Sequence, residues 1–243
     1  TFMGSLALLA RELGITVSGS DANVYPPMST QLEEAGIALR EGYSADNLSP
    51  RPDRVVIGNA LSRGNPEVEV VLDRRQPFTS LPALLAEEFL RPRQPLVVAG
   101  THGKTTTSSL LAFLLQRAGL DPSFLIGGVP VDFDRSYRLG GGRHFVIEGD
   151  EYDCAFFDKR PKFVHYLPAV AIIANVEFDH ADIYPNLTAV QGAFVRLMQV
   201  VPRSGLLIAG SESPALLEIL KHARCRVETF GLAAGADWRA VDL

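Results

Sequence analysis

With 243 residues against the ~150 of an average domain, the chain has room for one large domain or two modest ones, and for a core of real size. Hydrophobic residues at 47% and charged residues at 21%, with 21 Gly and 16 Pro spread along the chain, exclude a disordered or collagen-like polymer. A net charge of −5 speaks against a broad electrostatic grip on nucleic acid and leaves room only for a local basic pocket, of the kind that takes a phosphate.

The opening Thr1-Phe2-Met3-Gly4-Ser5 has no initiator Met and no basic-then-apolar leader pattern, and reads as the phosphate-facing turn after a missing first strand. A helix is predicted over residues 5–13, stopped by Gly14, and a strand over 15–18 that runs into Gly19-Ser20-Asp21. Asp21, closing a strand after a helix, stands where a nucleotide-binding fold places an acid toward a ribose or base; a turn or cap role fits the same position. Strands at 53–58 and near Phe78 and helices at 29–35, 66–74 and 82–90 complete this half. Arg91-Pro92-Arg93-Gln94-Pro95 is the best boundary in the chain, dividing it into residues 1–93 and 94–243. Beyond it come a strand at 96–99, a helix at 104–118, strands at 123–126, 144–147 and 170–175, and a helix at 188–200. A strand at 206–209, a helix at 214–223 and a strand at 226–230 follow, and the last residues lack a cap or closing turn, so both ends read as cut. Short β-branched runs alternating with helices throughout make this an α/β protein with a parallel sheet.

The strongest chemical signal is Gly100-Thr101-His102-Gly103-Lys104-Thr105-Thr106-Thr107, set between an apolar strand and an apolar helix. Glycines let backbone N–H groups turn toward phosphate oxygens, the helix N-terminus adds its positive end, Lys104 reaches the outer phosphates, and the Thr105 hydroxyl can ligate Mg2+. Val98 takes the place of the first glycine of the longer G-x-x-x-x-G-K-[ST] pattern, so the motif is the shortened form. A second cluster, Glu148-Gly149-Asp150-Glu151-Tyr152-Asp153, follows a strand directly, where carboxylates face the ligand crevice of an open sheet and can complete a Mg2+ site begun by Thr105. Glu148 is the best placed of these. The third, Asn175-Val176-Glu177-Phe178-Asp179-His180-Ala181-Asp182, also follows an apolar strand. A lone histidine is more often a packed structural residue, and here the neighbouring carboxylates and amide turn His180 toward function. No other histidine forms a metal-ligand spacing with His180, and with Cys154 and Cys225 outside any C-x-x-C pair neither a zinc site nor a disulfide framework is expected. A reducing cytoplasm fits that cysteine usage, and stretches such as residues 169–174 are far shorter than the ~20 needed to span a bilayer.

These three ordered motifs resemble those of the ATP-dependent Mur ligases of bacterial cell-wall synthesis, over nearly the whole chain: the G-T-H-G-K-T-T loop, E-G-D-E-Y-D for the family's E-A-D-E-S/Y-D, and N-V-E-F-D-H-A-D for N-x-E-x-D-H-x-D. Gly149 stands where alanine is commoner, a change without chemical consequence since no functional group is lost. The resemblance implies a Rossmann-like UDP-binding domain followed by a P-loop-type ATPase domain, with the family's C-terminal ligase domain absent from the sequence. It implies ATP and Mg2+ as cofactors, with Gly100, Thr101, His102, Gly103, Lys104, Thr105 and Thr106 on ATP and Phe2, Met3, Ser20 and Asp21 on the UDP-sugar. Thr105 and Glu148 would hold one Mg2+, Glu148 with His180 a second, and Asn175 would touch substrate or intermediate. The insert Phe156-Phe157-Asp158-Lys159-Arg160-Pro161-Lys162-Phe163-Val164-His165-Tyr166 and the stretch from Asp21 to Thr30 are similar to family members that join the tripeptide L-Ala-γ-D-Glu-meso-diaminopimelate to UDP-N-acetylmuramate in peptidoglycan recycling. The competing expectations are a ligase adding L-alanine to the same UDP-sugar and a non-catalytic nucleotide-binding module. The insert itself reads as a surface hairpin near the substrate cleft rather than a nucleic-acid stacking platform.

Overall fold

The computed structural model describes residues 2–179 and 183–242. In chain order the elements are α1 (Phe2–Glu12), β1 (Ser18–Asp21), α2 (Met28–Glu34), β2 (Ala38–Glu41), β3 (Val55–Ile57), α3 (Pro66–Asp73), β4 (Phe78–Ser80) and α4 (Leu81–Leu85). There follow β5 (Gln94–Ala99), α5 (Lys104–Arg117), β6 (Ser123–Leu125), β7 (Tyr137–Arg138), β8 (His144–Glu148), β9 (Asp153–Ala155), β10 (Asp158–Pro161) and β11 (Val170–Ile173). The chain continues with α6 (Leu187–Val200), β12 (Leu206–Gly210), α7 (Pro214–Ile219), β13 (Arg226–Gly231) and β14 (Trp238–Arg239).

An eight-stranded sheet in the order β14-β13-β12-β11-β5-β8-β6-β7 organises the molecule, and every pairing in it is parallel except β6 with β7. Its central strands β5, β6, β8, β11 and β12 are largely apolar on both faces, as a doubly covered parallel sheet requires. Along β5, Val97 and Ala99 face one core with Phe145 and Ile147 of β8, while Leu96 faces the other with Val146, Phe124 and Ala112 of α5. Each such fully buried large side chain contributes about 1.5–3 kcal/mol by leaving water. After β5 the chain crosses to β6, returns to β8 beside β5, and only then places β11 on β5's other side. The carboxyl ends of β5, β8 and β11 therefore lie next to one another at the topological switch of the sheet, where open α/β folds bind ligands.

The N-terminal part carries two small parallel pairs, β1 with β2 and β3 with β4. Local chemistry sets its helices: Asn65 caps α3 by accepting from the backbone N–H groups of Glu67 and Val68, and Pro66 supplies the first-turn φ. Leu6, Leu9 and Ala10 of α1 and Leu81, Leu85 and Phe89 join the same core as Val97, Phe145 and Ile147, so the principal core spans the proline-rich boundary at residues 91–95. A buried hydrogen bond of 2.8 Å between the hydroxyls of Ser5 and Ser136 ties the two parts further.

The predicted elements recur with ends shifted by a few residues, and the differences have physical causes. The helix expected over 82–90 is α4 followed by a π-helical turn at Ala86–Leu90, which no apolar spacing announces. Strands β2, β7, β9, β10 and β14 are two to four residues long, too short for a periodic signal. Residues 2–5 form the first turn of α1 rather than a loop, with Phe2 packed on the core. The insert does form an antiparallel hairpin, β9 with β10, but its continuation is not surface: Phe163 and Tyr166 are buried in the principal core.

Candidate active site

Ala99 ends β5 and Gly103 immediately precedes α5 with φ +78°, a left-handed conformation that glycine adopts without strain, and among the described residues no side chain caps the helix N-terminus. Between them the loop is braced by the segment after β11. Thr101 N–H donates to the Asn175 carbonyl at 3.1 Å, and the Thr101 hydroxyl both accepts from Glu177 N–H at 2.8 Å and donates to the Glu177 carbonyl at 3.3 Å. The Asn175 amide spans His102, accepting from its N–H at 2.8 Å and donating to its carbonyl at 3.2 Å. The backbone of Asn175 lies 3.2 Å from where a Cβ on Gly100 would stand, and the φ of +141° is one that L side chains rarely adopt, so a side chain at that point would be crowded and strained. His102 itself is exposed and faces Glu177 at 3.8 Å. Thr106 is exposed on the first turn of α5.

Two carboxylates from the end of β8 meet the loop. Glu148, 8% exposed, accepts from the Thr105 hydroxyl at 3.0 Å and from Gly127 N–H at 2.9 Å. A Cβ on Gly127 would sit 3.0 Å from Glu148 Oε1 and one on Gly128 3.0 Å from Thr105 Cγ2, so the Gly-Gly pair after β6 permits this close approach. Glu151, 2% exposed, pairs with Lys104 Nζ at 3.1 Å, while the same ammonium donates to the carbonyls of Gly100 at 2.8 Å and Thr101 at 3.2 Å. Tyr184 donates its hydroxyl to the Glu151 carbonyl at 2.7 Å, and burial with the Glu151 charge pushes that phenol up to about 12. Asp150 accepts from Lys162 of the insert at 2.5 Å, which ties the hairpin to the acidic segment. Gly149 is tighter than its side-chain chemistry suggests: a methyl there would lie 2.8 Å from Val97 Cγ1, so the glycine has a packing reason the sequence reading did not see.

The structure thus brings Gly100, Thr101, His102, Gly103, Lys104, Thr105, Glu148 and Asn175 together at three strand ends. His180 lies outside the described residues. Glu151, Gly127 and Tyr184 were missed as site residues; the Glu-x-x-Glu spacing of the acidic run and the Ile-Gly-Gly after β6 were the available signals. A depression of about 550 Å3 opens beside the loop, lined by Val176, Glu177, Phe178, Glu212 and Ser213.

The second group of predicted residues lies apart, at the carboxyl ends of β1 and β3. The Ser20 hydroxyl donates to Glu67 at 2.6 Å, and Asp21 accepts from Asn23 N–H at 3.2 Å. Met3, on the first turn of α1, approaches Gly58 just past β3. Glu67 is buried and also accepts from Ser44 N–H at 3.2 Å and the Asn47 amide at 2.7 Å, so it fixes the loop that follows β2.

Residues 1–91 match the family described as "Mur ligase family, catalytic domain", and residues 98–243 match "Mur ligase middle domain". The UDP-N-acetylmuramate–L-alanyl-γ-D-glutamyl-meso-2,6-diaminoheptandioate ligase of Escherichia coli is 57% identical over 208 residues, 86% of this chain and 46% of that protein. The UDP-N-acetylmuramate–L-alanine ligase of a Polaromonas species is 36% identical over 242 residues, 99% of this chain and 50% of that protein. The crystal structure of UDP-N-acetylmuramate:L-alanyl-γ-D-glutamyl-meso-diaminopimelate ligase from Neisseria meningitides superposes with a TM-score of 0.91 at 49% identity, covering 95% of this chain and 75% of that one. The chain spans about half the length of the curated relatives it matches.

Proposed function

Because the chain belongs to the Mur ligase family, we propose that it carries the UDP-sugar-binding and ATP-binding parts of a ligase joining L-Ala-γ-D-Glu-meso-diaminopimelate to UDP-N-acetylmuramate in the cytoplasm. We divide these parts at residues 93 and 94. The observation that carries the reading is the double pairing at adjacent strand ends, Thr105 with Glu148 and Lys104 with Glu151. Each joins a residue suited to phosphate or its counter-ion to a carboxylate held in place by burial. The preference for the tripeptide over L-alanine rests on 57% against 36% identity to the two kinds of relative.

In this reading ATP lies along the loop with its phosphates at the uncapped N-terminus of α5. The backbone N–H groups there face the phosphate oxygens, and Lys104 turns from the Gly100 and Thr101 carbonyls to the β and γ groups. Thr105 and Glu148 offer hard oxygen donors 3.0 Å apart, which fit Mg2+, and His180 belongs to the same proposed set. Bound there, Mg2+ would supply charge neutralisation to the phosphates. The lactyl carboxylate of the UDP-sugar attacks the γ-phosphorus and ADP leaves with the bond electrons, giving an acyl phosphate. The free amine of the tripeptide then attacks the acyl carbon, phosphate departs, and the amine proton is lost to solvent. The chain's contribution is orientation and electrostatic stabilisation. Asn175, its amide engaged with His102, holds the loop in the shape this needs. Phe2, Met3, Ser20 and Asp21 are assigned to the UDP-sugar.

ADP release, measured on this chain and on the chain extended to the length of its relatives, tests the proposal with ATP, Mg2+, UDP-N-acetylmuramate and either L-alanine or the tripeptide. Turnover with the tripeptide alone is expected from the extended form. Turnover with L-alanine alone would overturn the choice of substrate, and nucleotide binding without turnover with either would make the chain a binding module.

A further inference from the structure

The hairpin insert contains a cluster that the ligase reading does not use. Cys154 Sγ from β9, an Asp158 carboxylate oxygen from the start of β10 and a His165 ring nitrogen from the turn of 3-10 helix after it all lie within 4.8 Å of one another. His165 Nε2 and Asp158 Oδ2 are 2.9 Å apart, a separation suited to two neighbours on one ion. Cys154 is 1% exposed, and the side chains of Asp158 and His165 are each 11% exposed, so the three converge on an enclosed point rather than on a solvated acidic surface. The spacing Cys-x3-Asp-x6-His matches no regular ligand motif, which is why the sequence reading passed over it; the hairpin turn and the following helical turn do the gathering.

We propose that Cys154, Asp158 and His165 bind a structural Zn2+ ion. Thiolate, imidazole and carboxylate are the zinc donor set, and three protein ligands leave one tetrahedral position, for which the Arg160 carbonyl, 3.1 Å from Sγ, is at hand. Arg160 supplies the outer support such sites use. Its guanidinium grips Asp158 at 2.9 and 2.7 Å, which fixes the carboxylate and keeps it ionised. Binding replaces the S–H bond by an S–Zn bond, with the proton released to solvent, and takes His165 as the neutral imidazole ligating through Nε2. The ion would join β9, β10 and the helical turn at one point. Lys162 lies on that turn and reaches Asp150 beside Glu148, so the ion would hold the insert in register with the acidic segment.

The test is zinc content after equilibration with micromolar Zn2+ and gel filtration, with excess Mg2+ present throughout so that the Thr105–Glu148 oxygens do not report. The untagged wild-type chain is expected to retain about one equivalent. Cys154→Ser and His165→Asn should each bind at least about tenfold more weakly, with Cys225→Ser unchanged. Replacing Zn2+ by Co2+ in the wild-type chain should give the sulfur-to-cobalt charge-transfer absorption of a tetrahedral thiolate site, a readout that does not depend on a variant folding. A wild-type chain that retains no zinc, zinc retention unaltered in folded Cys154→Ser, or a Co2+ spectrum without a thiolate band would each overturn the proposal.

Discussion

Glu151 and Glu67 are both buried carboxylates near the carboxyl ends of parallel strands, yet they are satisfied in different ways. Glu67 is closed in by a hydroxyl, an amide and a backbone N–H, all from its own neighbourhood, and it has nothing left to exchange. Glu151 is held against the ammonium of Lys104, a flexible side chain whose other partners are two loop carbonyls. A carboxylate bound by fixed dipoles builds a wall, whereas one bound by a mobile cation keeps that cation ready for another anion. The difference separates the part of the molecule that shapes a pocket from the part proposed to handle the phosphates.

The largest expected effect breaks the mobile pair. Lys104→Ala in the extended protein should lower ADP release by about 10^2- to 10^3-fold or more, as loss of a charge aimed at the transferring group does. UDP-sugar binding should survive. The substitution also removes the ammonium from beside Glu151, 2% exposed, and breaking a buried ion pair by deleting one member destabilises by about 3–5 kcal/mol. The double variant Lys104→Ala with Glu151→Gln separates the two consequences: thermal stability should recover while turnover does not. Recovery of both would show that the lysine acts only by neutralising Glu151.

That pair also marks how far the sequence could be read. The loop, the acidic run and the segment after β11 were legible because each follows a short apolar strand, and strand ends in a parallel sheet converge by topology. Their internal partners were not. Nothing in the run from Glu148 to Asp153 says that Glu148 takes Thr105 while Glu151 takes Lys104; the turn after β8 decides it. Asn175 was expected to touch substrate or intermediate; that its amide also braces His102 was not legible, because a side chain at a strand end can as well serve the next loop. In the N-terminal part Ser20 and Asp21 were singled out by position, but Glu67, which Ser20 bonds from a helix far along the chain, was not, since a carboxylate in a helix's first turn reads as an ordinary dipole partner. The shared core across residues 91–95 was equally hidden, because composition marks a linker without revealing what packs on either side.

A smaller effect tests the fixed carboxylate. Glu67→Ala removes the acceptor for Ser20, Ser44 N–H and Asn47, and losing a charged acceptor shared by these partly exposed donors should cost about 1.5–3 kcal/mol, read from denaturant unfolding. If Glu67 is a wall, ATP binding to the loop should be unchanged and UDP-sugar affinity should fall. Weakened ATP binding with intact UDP-sugar affinity would erase the contrast between the two carboxylates.

The smallest effect lies where wall and machinery touch. Tyr184 donates to the Glu151 carbonyl, and Tyr184→Phe forfeits one such bond, about 1 kcal/mol at neutral pH. Its phenol is raised from 10.0 to about 12 in the folded chain, first by burial and then by Glu151. The stability this neutral hydroxyl contributes is fully present below its unfolded value of 10.0; above it the unfolded chain ionises first, so stability falls as pH climbs from 10 toward 12. The wild-type chain should therefore lose stability across that alkaline window more steeply than Tyr184→Phe, and the two unfolding curves should approach each other as pH rises. Parallel curves would mean that the phenol is not held in the neutral form by its place against Glu151.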